Sequence, residues 1–420
     1  MNRRYLLKTA AALPLLSWGL AQPVPSQAQA QVQAQVQAQV QAQAAARGKL
    51  LILIELKGAN DGLNTVVPFS SAAYAALRPR IGIKREDVVQ LSERAGLHPA
   101  LAPLLPMWQG RELAVVEGVG YPQPNLSHFR SIEIWDTASH AAEFLQQGWL
   151  ARTFAANPVP RTYLADGVVL GSNEMGPMAG APRSVALADP EQFVRQAKLV
   201  DSGAGTEMQK APRPASSGGA LQHLLKVESN IVEAAANLHG RYPFRTVFPP
   251  GPFGSQIHTA AQIASNPAGV AAVRVTLGGF DTHQNQPGMH ANLLKQLAEG
   301  VVALKSALEE SASWNNTLVM TYSEFGRRPK ENQSNGTDHG TAAPQMLFGG
   351  RVNGGWYGQP PALERLDGNG NLPHAVDFRE LYATVLERWW RIPAQGAGGS
   401  AAGTHAILGG RFAPLDLVRT

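Results

Sequence analysis

The sequence predicts an α/β fold, a three-layer α/β/α sandwich built on a mostly parallel central sheet. Three observations carry this. Apolar runs of strand length recur along the chain, as expected of strands buried on both faces. Segments of helical period stand between them, so strands and helices alternate. The clearest runs stop at glycine and lead straight into acidic and imidazole side chains, and ligands of a parallel sheet gather at the carboxyl ends of its strands.

Residues 1–30 read as a targeting segment rather than as fold. Arg3, Arg4, Leu6, Leu7 and Lys8 follow the order of a twin-arginine export motif; an apolar core at 9–21 and small residues around Ala28 and Ala30 follow. That core is too short for a membrane span. A general secretory signal is the alternative. Twin-arginine export carries folded proteins, so the expected partner is that export machinery and the expected location is periplasmic or secreted. The sequence has no cysteine, which excludes disulfides, thiolate metal sites and a cysteine nucleophile, and suits an oxidising compartment. Residues 31–47 continue a Gln-Ala-Val tract that cannot bury a core and serve as a spacer. The folded part is expected at 48–420 as one domain, since no internal repeat or second core shows within it. No integral membrane span is expected in the mature chain.

The elements follow in order. Residues 49–56, KLLILIEL, read as a central parallel strand that ends at Gly58, Asn60 and Asp61. A short helix is expected at 97–108 and a second buried strand at 112–119, which runs into Ser127, His128 and Arg130 ahead of a helix at 132–138. Residues 162–200 hold short strands and loops. Residues 202–219, rich in Gly, Ser and Pro, read as a surface loop. Helices are expected at 220–239 and 255–264. The β-branched run Val273, Val275, Leu277 is a buried strand; Gly278 and Gly279 break it, and Asp281 and His283 follow. A helix at 289–309 returns the chain over the sheet. A strand at 317–322 leads into Glu324, and Asp338 and His339 precede a last apolar run at 343–348. A helix at 378–390 closes the fold.

The net charge of +5 is spread, with no basic run interleaved with aromatics, so no nucleic-acid partner is expected. The polar groups at the strand ends each have an ordinary structural reading. Asp61 serves a glycine turn as a capping residue, Ser127 serves as an N-cap, and His128 is a hydrogen-bonded histidine. Glu324 pairs with Arg327 as a structural ion pair. Against this, turns have no need to collect carboxylates and imidazoles at four strand ends. Such groups without thiolates suit a divalent metal, and Ser127 at a strand-to-helix turn suits an anion. Arg130, Arg327 and Arg328 are candidates to clamp an oxyanion.

The motifs GANDGLNTVVPF, PNLSHFRSIEIW, VTLGGFDTHQNQ, TYSEFGRRP and TDHGTAAPQML, in this order, resemble the exported DUF1501 family, grouped with the alkaline phosphatase/sulfatase superfamily. The resemblance spans roughly residues 50–390. It implies an alkaline phosphatase-like fold and one or two divalent ions (Zn, Mn, Mg or Ca) held at strand ends. By position it implies Asp61, Asp281, His283, Glu324 and His339 as metal ligands, with His290 as a substitute. It places Ser127, with His128 and Arg130 beside it, at the nucleophile. Phe325 stands where the superfamily has a second histidine, and the sequence lacks the pattern by which sulfatases form formylglycine. Two functions follow as expectations: a metal-dependent hydrolase of anionic phosphate or sulfate esters, or a degenerate exported protein that binds an anionic polymer or an envelope partner.

Overall fold

The computed structural model describes residues 48–188, 242–396 and 402–419, which belong to one compact unit within Gln43–Thr420. The expected signal segment, spacer, 202–219 loop and 220–239 helix lie outside the described residues. The described strands are β1 (Leu50–Lys57), β2 (Val66–Val67), β3 (Val89–Gln90), β4 (Gly96–Leu97), β5 (Leu113–Gly120), β6 (Ala165–Leu170), β7 (Ser184–Leu187), β8 (Val270–Gly278), β9 (Thr317–Tyr322), β10 (Arg327–Glu331), β11 (Thr337–His339), β12 (Ala343–Phe348), β13 (Gly355–Gly358) and β14 (Val376–Asp377). The described α-helices are α1 (Gly62–Thr65), α2 (Ala72–Leu77), α3 (Leu105–Gln109), α4 (His128–Thr137), α5 (Trp149–Ala156), α6 (Pro252–Ser265), α7 (Gln286–Glu310), α8 (Phe378–Ala383) and α9 (Thr404–Leu408).

The central sheet runs β13-β5-β12-β9-β1-β8-β6-β7, with β14 also beside β5. Every pairing is parallel except those of β12, which runs antiparallel to β5 and β9. Because β12 is reversed, its first residues lie on the rim where β1, β5, β8 and β9 end. Side chains alternate across a strand, and β1 uses both faces. Ile52 and Ile54 pack with Phe253 and Ile257 of α6 and Leu294 and Leu297 of α7. Leu51 and Leu53 pack with Trp135 of α4, Trp149 of α5 and Phe378 of α8. Each such buried side chain contributes about 1.5–3 kcal/mol, so two helical layers hold the sheet between them. This is the expected α/β sandwich.

Several elements depart from their expected bounds. Residues 99–104 form a 3₁₀ turn before α3, since Pro103 and Pro106 interrupt α-helical bonding. Helix α4 begins at His128, four residues before the apolar period that announced it, because its first turn faces the rim and not the core. Helix α8 ends at Ala383 and continues as a π-helical stretch, Thr384–Trp389. The β10–β11 hairpin and the small β2-β4-β3 sheet carry too few residues to show a period.

Candidate metal centre

The loops after β1 and β8 touch where the sheet ends. Gly58 sits at φ +112°, and a Cβ there would stand 2.5 Å from the Asp281 backbone nitrogen. Only glycine allows that approach. The β10–β11 turn closes on the same place, since a Cβ on Gly336 would meet the His283 carbonyl carbon at 2.2 Å. Arg327 then binds the three segments together. Its fully buried guanidinium donates to the carbonyls of Ala59 (2.8 Å), Gly58 (2.6 Å), Phe280 (3.1 Å) and Thr337 (3.0 Å), and to Asp281 Oδ1 at 2.5 Å.

Three imidazoles and this carboxylate meet. His128 Nε2 and His283 Nε2 each lie 3.0 Å from His339 Nε2. Asp281 Oδ1 is 3.0 Å from His283 Nε2 and 3.4 Å from both His128 Nε2 and His339 Nε2. The ligand atoms of His128, Asp281 and His339 all fall within 4.8 Å of one another. A tetrahedral ion with bonds of about 2.0–2.1 Å sets its ligands roughly 3.3–3.4 Å apart, close to the spacing found here.

The hydrogen bonds behind the rings decide which nitrogens face inward bare. His339 Nδ1 lies 2.9 Å from the Leu126 carbonyl oxygen, an acceptor only, so Nδ1 carries the proton. His128 Nδ1 lies 2.7 Å from Glu324 Oε1 and likewise donates. In the neutral tautomers both Nε2 atoms are therefore lone pairs, facing each other across 3.0 Å. Such a contact requires a proton on one ring or a cation between them. A second partner on the outer ring nitrogen is the usual companion of a metal-bound histidine. The donor set thus fits a divalent ion.

The electrostatics of the four groups differ. The Glu324 hydrogen bond raises the His128 pKa, against the opposing effect of burial. Burial lowers the His339 pKa. Burial works to raise the Asp281 carboxyl, but the Arg327 hydrogen bond and charge outweigh it and bring it to about 2. Asp281 is ionised at neutral pH and half exposed, open to solvent on the rim.

The remaining expected ligands take other places. Asp61 lies in a separate buried network: Arg78 grips both its oxygens at 2.6 and 2.9 Å, Gln286 donates at 2.5 Å, and Leu63 N–H caps onto it at 3.2 Å. Glu324 stands behind His128 and also accepts from Gly58 N–H at 3.0 Å. It positions a ring and does not join the cluster. His290 is buried against Asn60 Oδ1 at 2.9 Å, and burial lowers its pKa to about 4. Ser127 is exposed beside His128, and its hydroxyl makes no capping bond to α4. Arg130 turns away, pairing with Glu133 at 2.9 Å and donating to the Ala141 carbonyl. Phe325 packs its ring 4.9 Å from His128 and 5.0 Å from His339, a wall for the cluster rather than a ligand. The structural ion pair expected between Glu324 and Arg327 does not form: Arg327 pairs with Asp281 while Glu324 holds His128. Sequence reasoning also missed the Arg78 and Gln286 hold on Asp61. Leu126, a backbone acceptor, left no signal in the sequence.

A family model described as "Protein of unknown function (DUF1501)" matches residues 97–397. No curated protein matches the chain. Among solved structures, the phosphonate monoester hydrolase SpPMH from Silicibacter pomeroyi is similar at 11% identity and TM-score 0.36, over 87% of this chain and 77% of that one. The C-terminal periplasmic domain of EcEptC from Escherichia coli, in complex with Zn, is similar at 10% identity and TM-score 0.35, over 72% and 73%. A protein in the alkaline phosphatase superfamily from Vibrio parahaemolyticus is similar at 11% identity and TM-score 0.33, over 72% and 60%. Likeness at this level carries no argument about chemistry. Among the described residues no helix is long and apolar enough to cross a membrane.

Proposed function

The chain belongs to the DUF1501 family, and from its rim cluster we propose that it is a metal-dependent hydrolase of phosphate or sulfate esters. One observation carries the reading: the Nε2 atoms of His128 and His339 converge at 3.0 Å beside Asp281. His128, His339 and Asp281, with His283 beside them, would hold the ion. When bound, a divalent cation supplies positive charge where the ester oxygens gather negative charge, and it acidifies a bound hydroxyl or water. Imidazole-rich donor sets favour Zn or Mn. Glu324 and the Leu126 carbonyl keep both rings in the ligating tautomer, and Arg327 aims Asp281. Ser127, at the N-terminus of α4, presents its hydroxyl as nucleophile or oxyanion contact, where free helix N–H groups favour an anion. The Arg78 grip on Asp61 supports one ion rather than two. Export by the twin-arginine route would place the activity in the periplasm or outside the cell.

Elemental analysis of the purified protein, joined to a phosphate- and sulfate-ester panel, tests this. Near-stoichiometric metal is expected, lost in His128→Ala and His339→Ala, and Ser127→Ala should lower turnover at least about a hundredfold. Full hydrolysis by protein stripped of metal would sink the reading. The rival, a non-catalytic exported binder of an anionic polymer, draws on Phe325 and on the ion-paired Asp61. It predicts no turnover on any ester, together with retention of a polyanion by the folded protein.

A further inference from the structure

On the same rim lies an open cavity of about 400 Å³. Its walls come from the same edge of the sheet. Leu63 and Val66 follow the end of β1, Glu117 and Gly118 lie near the end of β5, and Ala342 and Ala343 open the reversed strand β12. Arg327 lines the cavity and also holds Asp281 Oδ1 at 2.5 Å, so cavity and cluster share a residue.

The lining sets the chemistry of the occupant. Pro344, Pro360, Pro361 and Pro373 have no N–H to donate, and Leu63 and Leu372 add apolar surface. The one carboxylate in the wall, Glu117, is already held by Arg94 at 2.5 and 3.2 Å and presents no free charge. Arg365 and His374 stand exposed at the edge, suited to an anion at the entrance. A dry cavity of about 150 Å³ holds benzene, and ligand pockets span about 300–1,000 Å³. This one takes a fused-ring aromatic or a branched alkyl group. A sugar placed there would meet proline and leucine on most sides, with Gln359, Arg327, Arg365 and His374 as the side chains left to pair its hydroxyls, a poorer match than an apolar group.

We infer that the cavity seats the organic group of the ester, and that the substrate is a phosphate or sulfate ester of an apolar, aromatic or alkyl alcohol. The ester half of this statement rests on the hydrolase reading above; the organic half rests on the cavity. In the reaction the bond from phosphorus or sulfur to the alcohol oxygen breaks, oxygen from water takes its place, and the alcohol leaves with a proton from that water.

The test uses the metal-loaded full chain. KM and kcat are measured for 1-naphthyl phosphate and sulfate, for methyl phosphate, and for glucose 6-phosphate, and calorimetry follows binding of 1-naphthol itself. The naphthyl ester should show the lowest KM, and naphthol should bind. Ala362→Phe, which fills the cavity from a partly exposed position, should raise KM for the naphthyl ester about tenfold with kcat kept, leave methyl phosphate unchanged, and abolish naphthol binding. Equal KM for naphthyl and sugar esters, with no naphthol binding to the wild type, overturns the assignment even if the variant fails to fold. Hydrolysis of every ester without any response to Ala362→Phe also overturns it while leaving the hydrolase reading intact. Naphthol binding that the variant removes, without turnover of any ester, upholds the cavity as an aromatic site and defeats the hydrolase reading alone.

Discussion

Asp61 and Asp281 both follow a buried strand and a glycine, yet they meet different partners. Asp281 faces three imidazoles across an open rim. Asp61 is sealed with Arg78, both side chains buried, and the Arg78 charge keeps its pKa low against the effect of burial. Breaking a buried ion pair from one side strands the other charge, at a cost of about 3–5 kcal/mol. Asp61→Asn is therefore expected to lower stability by that order in denaturant titration while leaving metal content unchanged. Loss of metal with stability intact would instead make Asp61 a ligand. The residue types of the site were legible in the sequence, since an acid or an imidazole followed each of β1, β5, β8 and β9. Their pairing was not, because the carboxylates at 61 and 281 look alike until Arg78 and Arg327 are placed.

At the scale of elements, the centre depends on how closely loops approach. The β1 and β8 loops meet through Gly58, and the hairpin delivers His339 and Thr337 while Arg327 spans all three. Gly58→Ala forces a positive φ on a residue with a side chain, costing about 1–3 kcal/mol, and pushes on the Asp281 nitrogen. Weakened metal binding is expected in a titration of the variant along with lowered stability. Gly278→Ala is the control, since a Cβ there meets nothing within 4 Å, and it should change neither. The strand ends were legible as glycine breaks. The hairpin was not, because five- and three-residue strands give no period to read.

Across the whole molecule, a second group of charges lies under the sheet, on the α4 side. Arg274 of β8 pairs with Glu55 of β1 at 2.5 Å, both fully buried. Asp136 of α4 lies nearby with Oδ1 covered and unpaired among the described residues, and burial raises its pKa to about 8, against the pull of Arg274. A raised carboxyl binds its proton more tightly folded than unfolded. Its contribution to stability is thus complete below the unfolded value, about 3.9, and is lost as pH climbs towards 8. The thermal midpoint is expected to fall between pH 5 and 8, and Asp136→Asn to flatten that fall. An identical pH profile in the variant would assign the loss to other groups.

The sequence by itself determined the layers, because a strand buried on both faces must be apolar throughout and a covering helix must repeat near 3.6 residues. It also determined which rim would collect ionisable groups, since acid and imidazole side chains followed the strands there. Only the tertiary structure decided that His128, first in line for a hydrogen-bonding role, brings its Nε2 within 3.0 Å of His339 Nε2, and that Glu324 supports a ring instead of joining the cluster. Local order constrains the backbone, whereas the protonation and partners of a side chain depend on groups as far off as the 211 residues between His128 and His339.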